Sequence, residues 1–193
     1  IAEDIVADVL KYGDKIHLQN GYNDWKGGYL DTNGHADCGG NKFDVSTADS
    51  TTRGSGTGTW EILSASGKST GAEVVSGDVI YLRNMYGEGS YLDTCGGSNC
   101  GVNKYQVSTS PAKDRATGTG RWRIFAESSS PDDSKVRVGN LIRLLNGYDD
   151  WKGGFLDTCG GGPGGGKYDV STSSYLDRAN QGTATWKISK ATS

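Results

Sequence analysis

NGYNDWKGGYLDT, residues 20 to 32, returns as NGYDDWKGGFLDT, residues 146 to 158. Between them NMYGEGSYLDT, residues 84 to 94, keeps the ending and lacks the tryptophan. The flanks repeat as well. GDKIHLQN, GDVIYLRN and GNLIRLLN lead into the three copies, and NKFDVST, NKYQVST and GKYDVST follow them. Each copy closes on TWEI, RWRI or TWKI. Asp31, Asp93 and Asp157 each precede the closing Trp60, Trp122 or Trp186 by 29 residues. Such constancy marks an internal repeat of one supersecondary unit.

The units run over residues 1–63, 64–126 and 127–193. Each reads as four short strands separated by Gly, Asn, Asp and Ser clusters, which favour turns. Helical spacing shows only at Ile1, Ile5 and Val9, although Leu10, Val74 and Val136 hold equivalent places. A lone four-stranded unit cannot bury its apolar face. Three of them can close a barrel and remove exposed sheet edges. The expected fold is therefore all-β, a single β-trefoil domain of three pseudo-symmetric four-stranded repeats.

The bulk composition bounds the function. Hydrophobic residues are 34% of the 193, glycine contributes 31, and the formal net charge is -3. That is a slightly acidic globular protein and not a nucleic-acid profile. No apolar run approaches the roughly 18 residues that span a bilayer, so no membrane insertion is expected. No export signal is visible in the chain.

The order LD, glycine-rich turn, K-aromatic-x-V-S-T and W-x-I resembles the ricin-B type of β-trefoil lectin repeat over nearly the whole chain. The resemblance implies that Asp31, Asp93 and Asp157 accept hydrogen bonds from adjacent sugar hydroxyls. An ionised carboxylate has the acceptor capacity for this. A turn aspartate accepting backbone N–H groups is the structural alternative. Two departures stand out. Gly58, Gly120 and Ala184 replace the glutamine of the family's Q-x-W ending. Ser46, Ser108 and Thr172 stand where the family places an aromatic platform.

Comparing the copies internally separates scaffold from site. Trp60, Trp122 and Trp186 recur and read as core. Arg53, Arg115 and Arg178 recur and read as loop braces held by carbonyls or an aspartate, with an acidic ligand as the alternative. Trp25 and Trp151 occur only in units one and three, so the scaffold does not require them. They read as exposed sugar platforms, flanked by Tyr22 and Tyr148, with sideways packing over a neighbouring loop as the alternative. Asn23, Asp24, Asp149 and Asp150 offer hydrogen bonds, and Lys26 and Lys152 add a cation. The expected function is a non-catalytic carbohydrate-binding protein, at least bivalent, with glycans or polysaccharide as partners. The alternative is a protease inhibitor acting through the loop SSSPDDSK, residues 128–135.

Nothing suggests a catalytic triad, and no metal or cofactor is expected. His35, Asp37 and Cys38 lack a fourth ligand, and Asp149, Asp150 and Asp157 lack a recognised calcium loop. Cys95 and Cys159 stand two residues after the repeat aspartate; Cys38 and Cys100 stand seven after. Only unit two fills both places, which predicts a Cys95–Cys100 disulfide and a secreted or extracellular setting.

Overall fold

A computed structural model describes residues 8–127, 132–178 and 180–192. Among them run twelve strands: β1 (Lys15–Asn20), β2 (Tyr29–His35), β3 (Phe43–Ala48), β4 (Trp60–Ser64), β5 (Val79–Asn84), β6 (Ser90–Gly97), β7 (Tyr105–Ser110), β8 (Trp122–Ala126), β9 (Leu141–Asn146), β10 (Phe155–Gly161), β11 (Tyr168–Ser173) and β12 (Trp186–Lys190). The helix suggested by Ile1, Ile5 and Val9 falls largely outside the described residues. Its described end is extended: Val9 forms a β-bridge with Arg137.

The expectation of a β-trefoil with three four-stranded repeats as its building units needs correction. All twelve strands are hydrogen-bonded into one closed antiparallel sheet, and no repeat makes a sheet of its own. The long barrel ladders cross the repeat boundaries. β4 pairs with β5, β8 with β9 and β12 with β1 over five residue pairs each. Within a repeat, β1 meets β4 over only two. The reason is burial: four strands alone leave their apolar face wet, so the face is closed by neighbouring repeats.

Alternation along each barrel strand sends Ile16, Leu18, Ile62, Ile80, Leu82, Ile124, Ile142, Leu144 and Ile188 into one core. Trp60, Trp122 and Trp186 fill it, each fully buried. Their indole N–H groups donate to the carbonyls of Leu30, Leu92 and Leu156 at 2.9–3.0 Å. This satisfies the polar edge that a buried tryptophan carries. A ring of backbone bonds joins Leu10, Val74 and Val136 in a triangle, each N–H donating to the next carbonyl at 2.8–2.9 Å.

Three hairpins, β2–β3, β6–β7 and β10–β11, share one register. In each the register shifts after the LDT threonine, where Gly34, Gly96 or Gly160 takes a positive φ of 83–87°. A side chain there would be strained, so glycine is what permits this bulge. The bulge brings His35, Gly97 and Gly161 opposite Phe43, Tyr105 and Tyr168.

The cysteines pair differently from the sequence expectation. Cys38 bonds Cys95, and Cys100 bonds Cys159, with Cα–Cα distances of 5.9 and 6.0 Å. The Cys95–Cys100 pairing is thereby excluded. Neighbouring hairpins approach each other, so the later cysteine position of one repeat faces the earlier position of the next. Each bridge therefore ties two repeats together. Two disulfides fit a secretory-pathway or extracellular protein.

Strands β3, β7 and β11 meet one another through Asp44–Ser108, Gln106–Ser171 and Asp169–Ser46 pairs. Asp44 is pushed up to about 7, by burial first and then by the charges of Asp169 and Asp37. Asp169 is pushed up to about 6, mainly by burial, with Asp37 adding to it. A carboxyl raised on folding stabilises the protein when protonated and loses that contribution as pH rises through its folded value. Stability is therefore expected to fall between about pH 4 and pH 7. Asp44→Gln, which copies Gln106 of unit two, should remove part of that slope. Chemical denaturation at the two pH values checks this; an unchanged slope would count against it.

Candidate functional site

Three equivalent pockets lie where the hairpin of one repeat meets the first loop of the next. One of about 410 Å³ is lined by Phe43, Arg53 and Tyr86 among others. A second, about 300 Å³, contains Tyr105, Arg115 and Tyr148. A third, about 350 Å³, contains Tyr168, Arg178 and Tyr22. In each, two aromatic rings from different repeats meet edge to face and form a corner. The centroid separations are 5.3, 5.4 and 5.2 Å, at interplanar angles of 79°, 86° and 83°.

The arginine of each pocket is held from behind. Arg53 Nε donates to Asp31 at 2.6 Å and its Nη2 to the Thr32 carbonyl. Arg115 holds Asp93 and Thr94 at 2.9 Å, and Arg178 holds Asp157 and Thr158 at 3.0–3.1 Å. The arginine side chains keep 22–32% of their surface, whereas the three aspartate side chains keep none. Asn41 and Asn103 also donate to Asp93 and Asp157, at 2.9 and 2.8 Å. Asp31, Asp93 and Asp157 are thus fully buried anchors for the guanidinium groups. Their predicted role as direct acceptors from sugar hydroxyls is corrected accordingly, because the three carboxylates are fully buried against the arginines.

The tryptophan loops also differ from expectation. Tyr22–Trp25 and Tyr148–Trp151 each wind through a short left-handed turn. Asn23, Asp24 and Trp25 have φ of 53°, 57° and 64°; Asp149, Asp150 and Trp151 have 53°, 56° and 66°. Each such residue costs roughly 1–2 kcal/mol, and Asn and Asp bear it best. Three kinds of contact hold the turn. Lys187 Nζ sits 4.1 Å from the Trp25 ring centroid, and Arg123 lies 4.4 Å from that of Trp151. The other edges of the indoles rest against Gly21 and Gly147. Lys167 Nζ donates to the Lys26 carbonyl at 2.7 Å, and Lys104 Nζ to that of Lys152 at 2.6 Å.

Both indoles are half-buried, and a cation covers one face of each. They help to fasten a strained loop and are less open than the platform read from sequence. Unit two needs no such fastening. Its loop is two residues shorter and turns on Gly87 and Gly89, with φ of 58° and 84°. Arg83 takes the space instead, 3.6 Å from Glu61 and 2.8 Å from the Glu88 carbonyl. What survives in all three loops is the tyrosine: Tyr22, Tyr86 and Tyr148.

Of the remaining predicted site residues, Asn23 and Asp24 line a shallower hollow beside Tyr22 and Gln181. Lys26, Asp149, Asp150 and Lys152 are exposed at the loop surface. Asp157 is held by Arg178, away from the exposed Asp149 and Asp150, and Cys38 is in a disulfide. Of the alternative inhibitor loop, residues 128–131 lie outside the described residues. Its Asp133 is tied to Arg137 at 2.7 Å. Sequence reading missed Phe43, Tyr105, Tyr168 and Tyr86 as site residues. The signal was present: an aromatic follows each K of the K-aromatic strand, and a tyrosine recurs in every first loop.

No protein family matches the sequence, and no curated protein is similar to it. Solved structures are. The SDF2-like protein of Arabidopsis thaliana superposes with a TM-score of 0.72 at 16% identity, over 94% of this chain and 95% of that one. The Saccharomyces cerevisiae protein O-mannosyltransferase Pmt1-Pmt2 complex bound to the sugar donor matches at TM-score 0.71 and 15% identity, covering 98% of this chain and 26% of that one. The receptor binding domain of botulinum neurotoxin C/D mosaic serotype matches at 0.64 and 14%, covering 97% and 45%. At these identities the likeness speaks to the fold. No described helix is long and apolar enough to cross a membrane.

Proposed function

We propose that the chain is a non-catalytic carbohydrate-binding module whose sites are the three junction pockets. The observation that carries this reading is the threefold recurrence of one constellation: an aromatic corner, an arginine fixed behind it and a glycine-bulged wall. A sugar ring offers C–H groups to an aromatic face and hydroxyls to N–H donors, and the corner supplies both kinds of contact. Placing such groups on loops fixed to a rigid barrel is the usual layout of a binding surface. The receptor-binding domain and the sugar-donor complex among the structural relatives are consistent with it.

Three sites on one rigid body raise avidity for a multivalent glycan surface without new contacts. The two disulfides suit secretion, where such surfaces are met. The test is binding to a glycan array by the wild-type protein, compared with a variant whose three loop tyrosines are alanine. Binding that is present in the first and absent from the second supports the reading. Wild-type protein that recognises no glycan overturns it.

A further inference from the structure

Each junction pocket holds one arginine and no acid. The walls around Arg53, Arg115 and Arg178 contain neither Asp nor Glu. Yet the chain carries 23 acidic residues against 20 Lys and Arg. The carboxylates paired with these arginines, Asp31, Asp93 and Asp157, are buried behind the guanidinium groups. Each ion pair therefore turns its positive end to the pocket.

Nε and Nη2 of each arginine are committed to the aspartate and a threonine carbonyl. Nη1 makes no hydrogen bond among the described residues and is left as a donor. A pocket without carboxylates offers few strong acceptors to sugar hydroxyls. It suits a ligand that is itself an acceptor. Charge-assisted bonds are about twice as strong as neutral ones, so the best match is an anion on the sugar.

Resting on the carbohydrate-binding reading, we infer that these pockets select acidic saccharides. A ring carboxylate or sulfate accepts from Nη1 while the ring packs in the aromatic corner. Uronates and sulfated sugars share this chemistry, and the test separates them. Replacing the arginine would strand a buried aspartate and risk unfolding, so the decisive comparison changes the ligand and leaves the protein intact.

Wild-type protein is screened on a glycan array with matched neutral, uronate-bearing and sulfated oligosaccharides. It is then titrated by NMR with methyl β-glucuronide, the methyl ester of that glucuronide, glucose 6-sulfate, methyl β-glucoside and sodium acetate. The expected result is affinity for the glucuronide or the sulfate about tenfold above the ester and the glucoside. That advantage should shrink at about 1 M salt, where the screening length is about 3 Å. A sulfate advantage alone, or a uronate advantage alone, identifies the anion. Equal affinity for glucuronide and its ester, with no sulfate gain, overturns the acidic preference and leaves carbohydrate binding standing. Acetate binding as tightly as the glucuronide overturns the preference too, since the ring would then contribute nothing. An array with no bound glycan removes both readings.

Discussion

The triple variant Tyr22→Ala/Tyr86→Ala/Tyr148→Ala is expected to lose glycan binding by more than about 100-fold while keeping its fold. Tyr86 and Tyr148 are 42% and 38% exposed, so truncation empties little of the core. A central aromatic contact in a binding site typically costs about 2 kcal/mol or more when cut back to alanine. Losing it in all three pockets also abolishes the avidity that links them. The single variant Tyr86→Ala should weaken only the Arg53 pocket. By contrast, Trp25→Ala/Trp151→Ala should spare that pocket and lower stability, because each indole-cation contact contributes about 0.5–2 kcal/mol to holding a left-handed turn. Array binding and thermal melts measured on both variants check the contrast. A tryptophan variant that loses all binding at unchanged stability would return the site to the indoles.

Removing the disulfides should have the largest effect on stability. The bridges Cys38–Cys95 and Cys100–Cys159 close loops with sequence separations of 57 and 59 residues. Chain entropy alone assigns a loop of that length about 4 kcal/mol. For a chain of this size, such a loss corresponds to a melting temperature lower by about 10 °C for each bridge. Paired serine variants at 38/95 and at 100/159 should each show it, and reduction of the wild type should show more. Cys95 also lines the Arg115 pocket and Cys159 the Arg178 pocket, whereas Asn33 holds the matching place beside Arg53. Loosening by reduction should therefore reach two pockets before the third. Mapping of disulfide-linked peptides after non-reducing digestion checks the pairing. A linked pair joining Cys95 to Cys100 would contradict it.

The repeat was legible in the sequence because its marks are local. The LD pair, the K-aromatic strand and the closing tryptophan recur at fixed spacing, and all three tryptophans are in the core. Strand pairing was less legible, since it depends on which repeat closes the apolar face of which. The same gap hid the pockets and the disulfides. Tyr86 belongs by sequence to unit two but completes the corner of Phe43 in unit one. Cys38 faces Cys95 for the same reason. Each partner sits in the next repeat, and no spacing within one unit shows it.

Trp25 posed a related difficulty. Its absence from unit two suggested a ligand role. The shorter loop, the glycines at 87 and 89 and the Arg83–Glu61 pair show that unit two lacks the strained turn that the indole fastens. Asp31 carried the opposite lesson. A carboxylate in the LD pair has suitable chemistry for sugar hydroxyls, but the recurring Arg53 already occupies it.

The central claim is that sugars bind at the repeat junctions. Its most direct test is a crystal structure of the protein with its best glycan from the array. The predicted result is a sugar ring seated in the aromatic corner beside Nη1 of Arg53, Arg115 or Arg178. A sugar lying on the outer loops of Trp25 or Trp151, with the three pockets empty, would contradict it.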